Sequence, residues 1–285
     1  MSHVYRLIIS CPDQVGIVAE VASLIAQHGG TIVEANHHTD SAKGWFFMRH
    51  EILASSLKNG VEAFQADFAQ LAEQFEMQWQ LNDSAKPKKI ALFASKESHC
   101  LADLLYRWHE QDLPGEIVCV IANHPDLEEM AKWYQVPFHY VPVTPENKPQ
   151  AFAEAEALVQ QYAADVIVLA RYMQILPPQM CADFAGRVIN IHHSFLPSFV
   201  GAKPYHQAYE RGVKLIGATC HYVTEVLDAG PIIEQDVIRV SHAHTVEDLK
   251  RLGRDVEKTV LARGLRHHLE DRVLIHGNKT VVFSV

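Results

Sequence analysis

Three polar residues of the chain form a set that can act on a carbonyl group: the amide Asn190, the imidazole His192 and the carboxylate Asp228. Residues 188–191 are rich in β-branched side chains and predict a short buried strand, which Pro197 must end. Side chains alternate along a strand, so Asn190 and His192 point the same way. An amide can donate to an oxyanion, an imidazole can move protons, and a carboxylate can orient the imidazole.

Asp228 lies in the turn Leu227-Asp228-Ala229-Gly230-Pro231, and the strand of Asn190 belongs to a longer alternating pattern. Strands are predicted at 89–94, 117–122, 138–141, 166–170 and 188–192, and helices at 101–108, 127–134 and 151–162. This alternation predicts a Rossmann-like parallel α/β sheet with its site at the carboxyl ends of the strands. Further strands at 216–223 and 232–240, a helix at 246–269 and a C-terminal hairpin around Gly277-Asn278 follow.

The first 82 residues follow a different pattern, with the order βαββαβ. The predicted strands are 4–10, 31–40, 45–53 and 77–81, with helices at 15–28 and 61–75. This order predicts a ferredoxin-like two-layer fold. Residues 83–88 are polar, contain Pro87 and show no periodicity, so they read as a linker. The predicted domains are therefore 1–82 and 89–285, joined by 83–88.

The N-terminal segment resembles an ACT domain, a regulatory module that usually binds amino acids. The resemblance lies in Cys11-Pro12-Asp13-Gln14-Val15-Gly16-Ile17-Val18-Ala19 and in Gly29-Gly30-Thr31-Ile32. Backbone N–H groups at a helix N-terminus can hold a carboxylate, and Gly16 removes a side chain there. Asp13, Gly16 and Ile17 are therefore candidate effector contacts. Alternatively, Gly16 serves close packing only, and the domain is mainly a dimer interface. The analogy implies a homo-oligomer.

Residues 89 to about 240 resemble the folate-dependent formyltransferase family. The resemblance lies in Asn190-Ile191-His192, Leu196-Pro197-Ser198-Phe199, Gly217-Ala218-Thr219-Cys220-His221, residues 227–233 and residues 168–176. In that family an Asn, a His and an Asp act on the formyl group of 10-formyltetrahydrofolate, which implies that Asn190, His192 and Asp228 are catalytic. The resemblance also implies a pterin pocket lined by Met173, Gln174, Ile175, Leu176, Glu225, Val226 and Leu227.

The chemistry of the three residues fits an N-formyl substrate. Asn190 can polarise the formyl carbonyl, and a protonated His192 can hold the oxyanion and then protonate the leaving nitrogen. Asp228 favours that imidazolium and can take a proton from the nucleophile. Whether His192 or Asp228 activates the nucleophile stays open. The sequence also leaves three further polar residues unassigned, Tyr205, His206 and His221.

The formyl acceptor is indicated by residues 95–101, Ser-Lys-Glu-Ser-His-Cys-Leu, which follow the first strand of the α/β pattern. Family members that act on a phosphorylated amine carry a Gly- and Ser-rich phosphate loop there. This stretch has no glycine, and Glu97 would repel a phosphate, although Lys96 leaves a weaker phosphate site open. Water is then the simplest acceptor, so we expect hydrolysis of 10-formyltetrahydrofolate to formate and tetrahydrofolate.

The combination of both domains resembles the formyltetrahydrofolate deformylase family. That resemblance implies formate supply for purine synthesis, control of the one-carbon folate pool, and glycine or methionine as effectors. Two alternatives stay open. One is a formyltransferase for an unidentified amine, and the other is a non-enzymatic folate-binding protein with a decayed site.

Composition limits the partners. The net charge of −9 and a pI near 6.0 argue against nucleic acid and anionic membranes. Five scattered cysteines with no C-x-x-C pair suit free thiols in a reducing compartment, and a single disulfide stays open as the alternative. No basic leader and no membrane-spanning run are evident, so we expect a cytoplasmic protein.

The 18 histidines raise the question of a metal site. Adjacent strand residues such as His192 and His193 face opposite ways and chelate poorly. His242 and His244 can chelate together, but no carboxylate or thiolate cluster lies beside them in sequence. We expect no catalytic metal and no permanently bound cofactor.

Overall fold

The computed structural model describes residues 3–198 and 204–284 of the 285-residue chain. Phe199, which belongs to the motif at 196–199, lies outside the described residues. The chain forms two compact units. The first contains the residues up to Pro87 together with Asp271–Leu274 and the segment from Val281, and the second contains Lys88–Glu270 and Ile275–Thr280. The boundaries expected from the sequence, at 82 and 89, stay a prediction.

The first unit has the predicted element order. Its elements are β1 (Val4–Pro12), α1 (Ile17–Gln27), β2 (Ile32–Asp40), β3 (Trp45–Leu53), α2 (Gly60–Gln74) and β4 (Gln78–Asp83). The strands form one antiparallel sheet in the order β2-β3-β1-β4. The two helices bury a stripe at helical spacing, with Phe64 and Phe68 of α2 fully buried against the sheet residues Leu7, Ile9 and Met48. The predicted ferredoxin-like ACT fold is confirmed.

The second unit is an α/β domain built on a seven-stranded sheet. Its elements are β5 (Lys89–Ala94), α3 (His99–His109), β6 (Glu116–Ala122), α4 (Glu128–Trp133), β7 (Phe138–Tyr140), α5 (Lys148–Gln161), β8 (Val166–Ala170), α6 (Pro178–Asp183), β9 (Val188–His192), α7 (Pro204–Arg211), β10 (Leu215–Tyr222), β11 (Ile232–Arg239) and α8 (Val246–Leu269). The order is β11-β10-β9-β8-β5-β6-β7. Strands β5 to β9 are parallel, while β10 and β11 run antiparallel to their neighbours.

The strand order of this sheet creates a crevice. From β5 the chain builds outwards through β6 and β7, and then returns to place β8 on the other side of β5. Loops leave the carboxyl ends of β5 and β8 in opposite directions, and ligands bind at such a switch point. Ser95 and Arg171 are the first residues after these two strands. The sheet therefore opens the crevice beside the residues that the sequence singles out.

Helix α8 packs across the end of the sheet that carries β10 and β11. It begins with a capping box, in which Thr245 and Asp248 each bond the other's backbone N–H. Gly264 brings α8 close to β10, because an added Cβ would lie 2.5 Å from the Cys220 sulfur. Among the described residues, no helix is both long and apolar enough to cross a bilayer.

The predicted C-terminal hairpin is present as β12 (Val273–His276) and β13 (Lys279–Val282). The hairpin residues farthest from the turn, 273–274 and 281–282, belong to the first unit. There Leu274 and Phe283 form a small apolar cluster with Phe47 of β3. Arg272 makes a bidentate pair with Glu34 of β2, at 2.7 and 3.0 Å. The last residues of the chain thus complete the core of its first unit.

Candidate active site

A cavity of about 330 Å³ opens at the carboxyl ends of β8 and β9. The three predicted catalytic residues all line it, from β9 and from the turn between β10 and β11. Six of the seven predicted pocket residues also line it, namely Met173, Gln174, Ile175, Leu176, Glu225 and Leu227. The seventh, Val226, is not a lining residue, and 67% of its surface is exposed. The fold therefore brings the predicted site residues together, with Val226 as the exception.

Asn190 is oriented by His221, which lies opposite it on β10. The Nδ1 atom of His221 is 2.9 Å from the Tyr222 carbonyl, which can only accept, so Nδ1 carries a proton. Burial lowers the pKa of His221, against the effects of that carbonyl and of Asp228, which favours the neutral ring. Its Nε2 atom must then accept from Asn190 Nδ2, 3.2 Å away. The amide nitrogen of Asn190 therefore faces His221, and its second N–H remains to donate elsewhere.

His192 and Asp228 form the second pair of the site. The Nδ1 atom of His192 is 3.3 Å from Asp228 Oδ1. The bond to His192 lowers the pKa of Asp228, and burial only partly opposes it, so Asp228 is a carboxylate at neutral pH. The Nε2 atom of His192 is buried and has no hydrogen-bond partner among the described residues. A buried nitrogen without a partner is costly unless a ligand supplies one.

The turn that presents Asp228 is held by close backbone packing. Asp228 has a φ of +54°, a left-handed conformation that Asp tolerates better than most residues. Two residues later, a Cβ on Gly230 would lie 1.8 Å from the Tyr222 carbonyl oxygen, so only glycine fits. A register shift at Cys220 and His221 bends β10 beside this turn. These local features direct Asp228 and His221 into the same cavity, where Asp228 Oδ1 lies 3.8 Å from His221 Nε2.

The pocket loop after β8 is held by Ser95, which follows β5 on the other side of the switch point. Ser95 is buried, donates to Asn123 Oδ1 at 2.6 Å and accepts from the Met173 N–H at 2.9 Å. Met173 and Ile175 are more than half exposed and form part of the apolar surface of the cavity. An exposed apolar surface of this kind suits a flat heterocycle with a few polar edges.

One cluster of the described residues has metal-ligand geometry: atoms of His99, Cys100 and Glu257 lie within 4.8 Å of one another. Its chemistry fits a metal poorly. Glu257 already accepts bonds from Tyr205 and His99, and Arg171 lies 3.4 Å away. Burial raises the pKa of the Cys100 thiol well above its ordinary value, so it does not offer a thiolate.

The three predicted effector contacts lie at the start of α1. Gly16 precedes the helix with a φ of +100°, and an added Cβ would meet no atom within 4 Å. Its backbone conformation, and not close packing, therefore explains the glycine. Ile17 is buried in the core of the first unit, whereas the side chain of Asp13 is exposed. Their role as effector contacts stays a prediction.

Of the residues that the sequence left unassigned, His221 contacts the site directly, and Tyr205 and His206 line a second cavity. The sequence signal for His221 was its place in the motif Gly217–His221. Its partner was not evident, because the partner depends on the register between β9 and β10.

Comparison with known proteins shows which protein families the two units match. Residues 88–265 match the model of the family described as "Formyl transferase", and residues 5–66 match that of the ACT domain. The chain is 49% identical over 280 residues to the formyltetrahydrofolate deformylase of Bacillus subtilis (strain 168), covering 98% of this chain and 93% of the relative.

Some solved structures are similar to this chain over its whole length, and others are similar over about 70% of it. A formyltetrahydrofolate deformylase from Pseudomonas syringae pv. tomato shares 63% identity, with a TM-score of 0.98 over 100% of this chain and 95% of that one. The glycinamide ribonucleotide transformylase 1 of Symbiobacterium toebii shares 30% identity, with a TM-score of 0.66 over 70% of this chain and 95% of that one.

Proposed function

This chain belongs to the formyltetrahydrofolate deformylase family, and from that premise we propose how its residues hydrolyse 10-formyltetrahydrofolate to formate and tetrahydrofolate. The observation that supports the mechanism is the convergence of Asn190, His192 and Asp228 on one cavity. The enzyme is a hydrolase that acts on an N-formyl group. The transferase alternative finds no support in the deformylase relatives.

The pterin ring of the substrate would occupy the apolar part of the cavity. Residues 173–176 would flank one side, and Glu225 and Leu227 the other. This placement leaves the formyl group beside β9. Glu225 and backbone groups of the two loops can bond the polar edges of the ring.

In this reaction, two groups donate hydrogen bonds to the formyl oxygen, and a third group accepts a proton from the attacking water. The second N–H of Asn190 and the Nε2–H of an imidazolium at His192 donate to the formyl oxygen, which becomes an oxyanion when water attacks. Asp228 takes the proton of that water. The C–N bond then breaks, and His192 delivers its proton to the leaving nitrogen. The Nδ1–Asp228 contact of 3.3 Å keeps the Nε2 atom of His192 directed at the substrate.

We expect that Asn190→Ala, His192→Ala or Asp228→Asn each lowers kcat at least about a hundredfold, the usual scale for a lost donor or shuttle. The measurement is formate release from 10-formyltetrahydrofolate with no acceptor added. His242→Ala, a change at an exposed histidine, is the control and should leave the rate unchanged. A wild-type protein that releases no formate, and that forms tetrahydrofolate only when an amine is present to take the formyl group, would overturn the hydrolase assignment.

We propose further that the ACT unit binds an amino-acid effector, glycine or methionine, near Asp13, Gly16 and Ile17. The ACT match and the open helix start at Gly16 support this. Equilibrium dialysis of the full chain with each amino acid tests it. Gly16→Asp should weaken any binding, because Asp strains the backbone at this φ and its carboxylate repels the carboxylate of the effector. Binding of neither amino acid would contradict the proposal.

The family and the described residues support several further proposals. We propose a homo-oligomer in the cytoplasm that supplies formate for purine synthesis and balances the one-carbon folate pool. All five cysteines are buried and free, which suits a reducing compartment. We propose that the reaction needs no metal, because the amide, imidazole and carboxylate supply the required donors and the His99 cluster is already engaged by Arg171 and Tyr205.

A further inference from the structure

A second cavity, of about 300 Å³, lies next to the catalytic one in the same unit. Arg171 and His193 line both cavities, so their side chains form the boundary between them. We call these two side chains the wall. The second cavity has the size of a small-ligand site, and its lining is polar and charged. A molecule held there would lie beyond the wall from the catalytic residues.

The wall is braced by a buried carboxylate. Glu257 of α8 is 1% exposed, accepts from His99 Nε2 at 2.7 Å and from the Tyr205 hydroxyl at 2.5 Å. It lies 3.4 Å from Arg171 Nε, and Arg171 Nη1 donates to His193 Nδ1 at 2.5 Å. Burial works to raise the pKa of Glu257, but the bond from His99 and the charge of Arg171 outweigh it and leave that pKa lowered. Glu257 is therefore a charged carboxylate.

His193 completes the wall as a neutral ring. Because Arg171 can only donate, the Nδ1 atom of His193 must accept. Burial and, second, the charge of Arg171 lower the pKa of His193 to about 4, so the ring is uncharged at neutral pH. Contrary to the expectation that the two neighbours face opposite ways, the ring stacks on catalytic His192, with centroids 5.3 Å apart, because β9 ends at His192 and the strand alternation ends with it. A bulky nucleophile coming from the second cavity would have to displace this ring.

The backbone of Arg171 also indicates a role for its side chain. Arg171 has a φ of +63°, a conformation in which glycine is favoured. An arginine kept in this strained position at a site points to a function of its guanidinium group.

We propose that the wall of Arg171 and His193, braced by Glu257, is the specificity determinant that restricts the formyl acceptor to water. This inference rests on the proposed hydrolysis at Asn190, His192 and Asp228. An amine is excluded for two reasons. Any nucleophile larger than water meets the filled boundary, and the protonated form of an ordinary alkylamine, which predominates at neutral pH, is also repelled by the guanidinium of Arg171.

The test uses hydroxylamine, which is larger than water but largely unprotonated at neutral pH, so it probes the filled boundary without the charge repulsion. Its nitrogen would bond to the formyl carbon as the C–N bond to tetrahydrofolate breaks, and its proton would pass to the leaving nitrogen. The products are formohydroxamic acid and tetrahydrofolate. The hydroxamate, the formate and the tetrahydrofolate are each measured, with and without hydroxylamine, and a blank without enzyme is subtracted.

Arg171→Gly is the sharpest variant, since glycine suits the φ of that position, and His193→Ala removes the other half of the wall. For both we expect measurable formate release without hydroxylamine, and with it a hydroxamate fraction at least about tenfold above that of the wild type, the scale on which small changes in a pocket alter selectivity. Arg254→Gln changes a cation that lines only the second cavity, and it should match the wild type.

Three outcomes would overturn the proposal. The wild type could already form hydroxamate, both variants could keep the wild-type product ratio, or both could fold and yet release no formate without hydroxylamine. The last result would mean that the wall serves hydrolysis itself. Failure of the hydrolase assignment is distinct, because it would appear as a wild type that releases no formate when acceptors are absent.

Discussion

At the scale of single residues, the site depends on which nitrogen of His221 carries a proton. The Tyr222 carbonyl fixes the proton on Nδ1, and the bare Nε2 atom then orients the amide of Asn190. If the ring were turned or charged, Asn190 would present its oxygen to His221, and the donor that we propose for the oxyanion would be lost. We therefore propose that His221 is a positioning residue that acts through Asn190.

We expect His221→Phe to lower kcat about tenfold to a hundredfold with little change in KM, because the effect falls on a donor that matters most in the transition state. His221→Gln keeps an oxygen that can accept from Asn190, so it should restore part of the rate. Steady-state formate release by both variants measures this. Equal losses in the two variants would mean that His221 serves packing only.

The placement of the site residues could be predicted in large part, because it follows from local rules. Alternation along β9 places Asn190 and His192 on one cavity, and the turn residues bring Asp228 to it. The contacts of His221 and the wall could not be predicted from local rules. They depend on the register between β9 and β10 and on Glu257, which lies 86 residues after Arg171 and meets it only in the fold.

At the scale of elements, the sequence predicts those with a strong pattern. Helix α8 has the predicted bounds, 246–269, because it combines an N-cap box with a long apolar stripe. Two helices were not predicted, α6 and α7, with six and eight residues. Six and eight residues give only about two turns, so the period is weak and tertiary packing decides whether such helices form; α4, also of six residues, was predicted within the longer range 127–134.

Packing between α8 and β10 makes Gly264 sensitive to substitution. We expect Gly264→Ala to lower the free energy of unfolding by about 1–2 kcal/mol, since the clash of its Cβ with the Cys220 sulfur outweighs the better helix propensity of alanine. Urea denaturation measures the change. Arg251→Ala, on the exposed face of the same helix, is the control. A more stable Gly264→Ala variant would show that the two elements can move apart at no cost.

At the scale of the whole molecule, several buried histidines make the fold sensitive to acid. Burial lowers the pKa of His50 to about 4, that of His193 to about 4 and that of His268 to about 3. In the unfolded chain these groups titrate near 6.5. Between the two values the unfolded state binds more protons, so stability falls as the pH drops from about 6.5 towards about 4.

We therefore expect the urea midpoint of unfolding to fall between pH 7 and pH 5. His50→Leu removes one of these groups, and it should make the free energy of unfolding less dependent on pH by up to about 1.4 kcal/mol per pH unit. Midpoints that do not change over this range would show that the buried histidines are already charged in the folded protein.

The closing of the first unit by the last residues has a consequence for how the protein is made. Arg272 and Phe283 complete contacts with Glu34 and Phe47, which are translated more than two hundred codons earlier. During synthesis, one face of the N-terminal sheet therefore stays uncovered until residues 271–274 and 281–284 have left the ribosome. A message truncated after codon 270 would encode every strand of the seven-stranded sheet, yet leave the N-terminal sheet without these contacts.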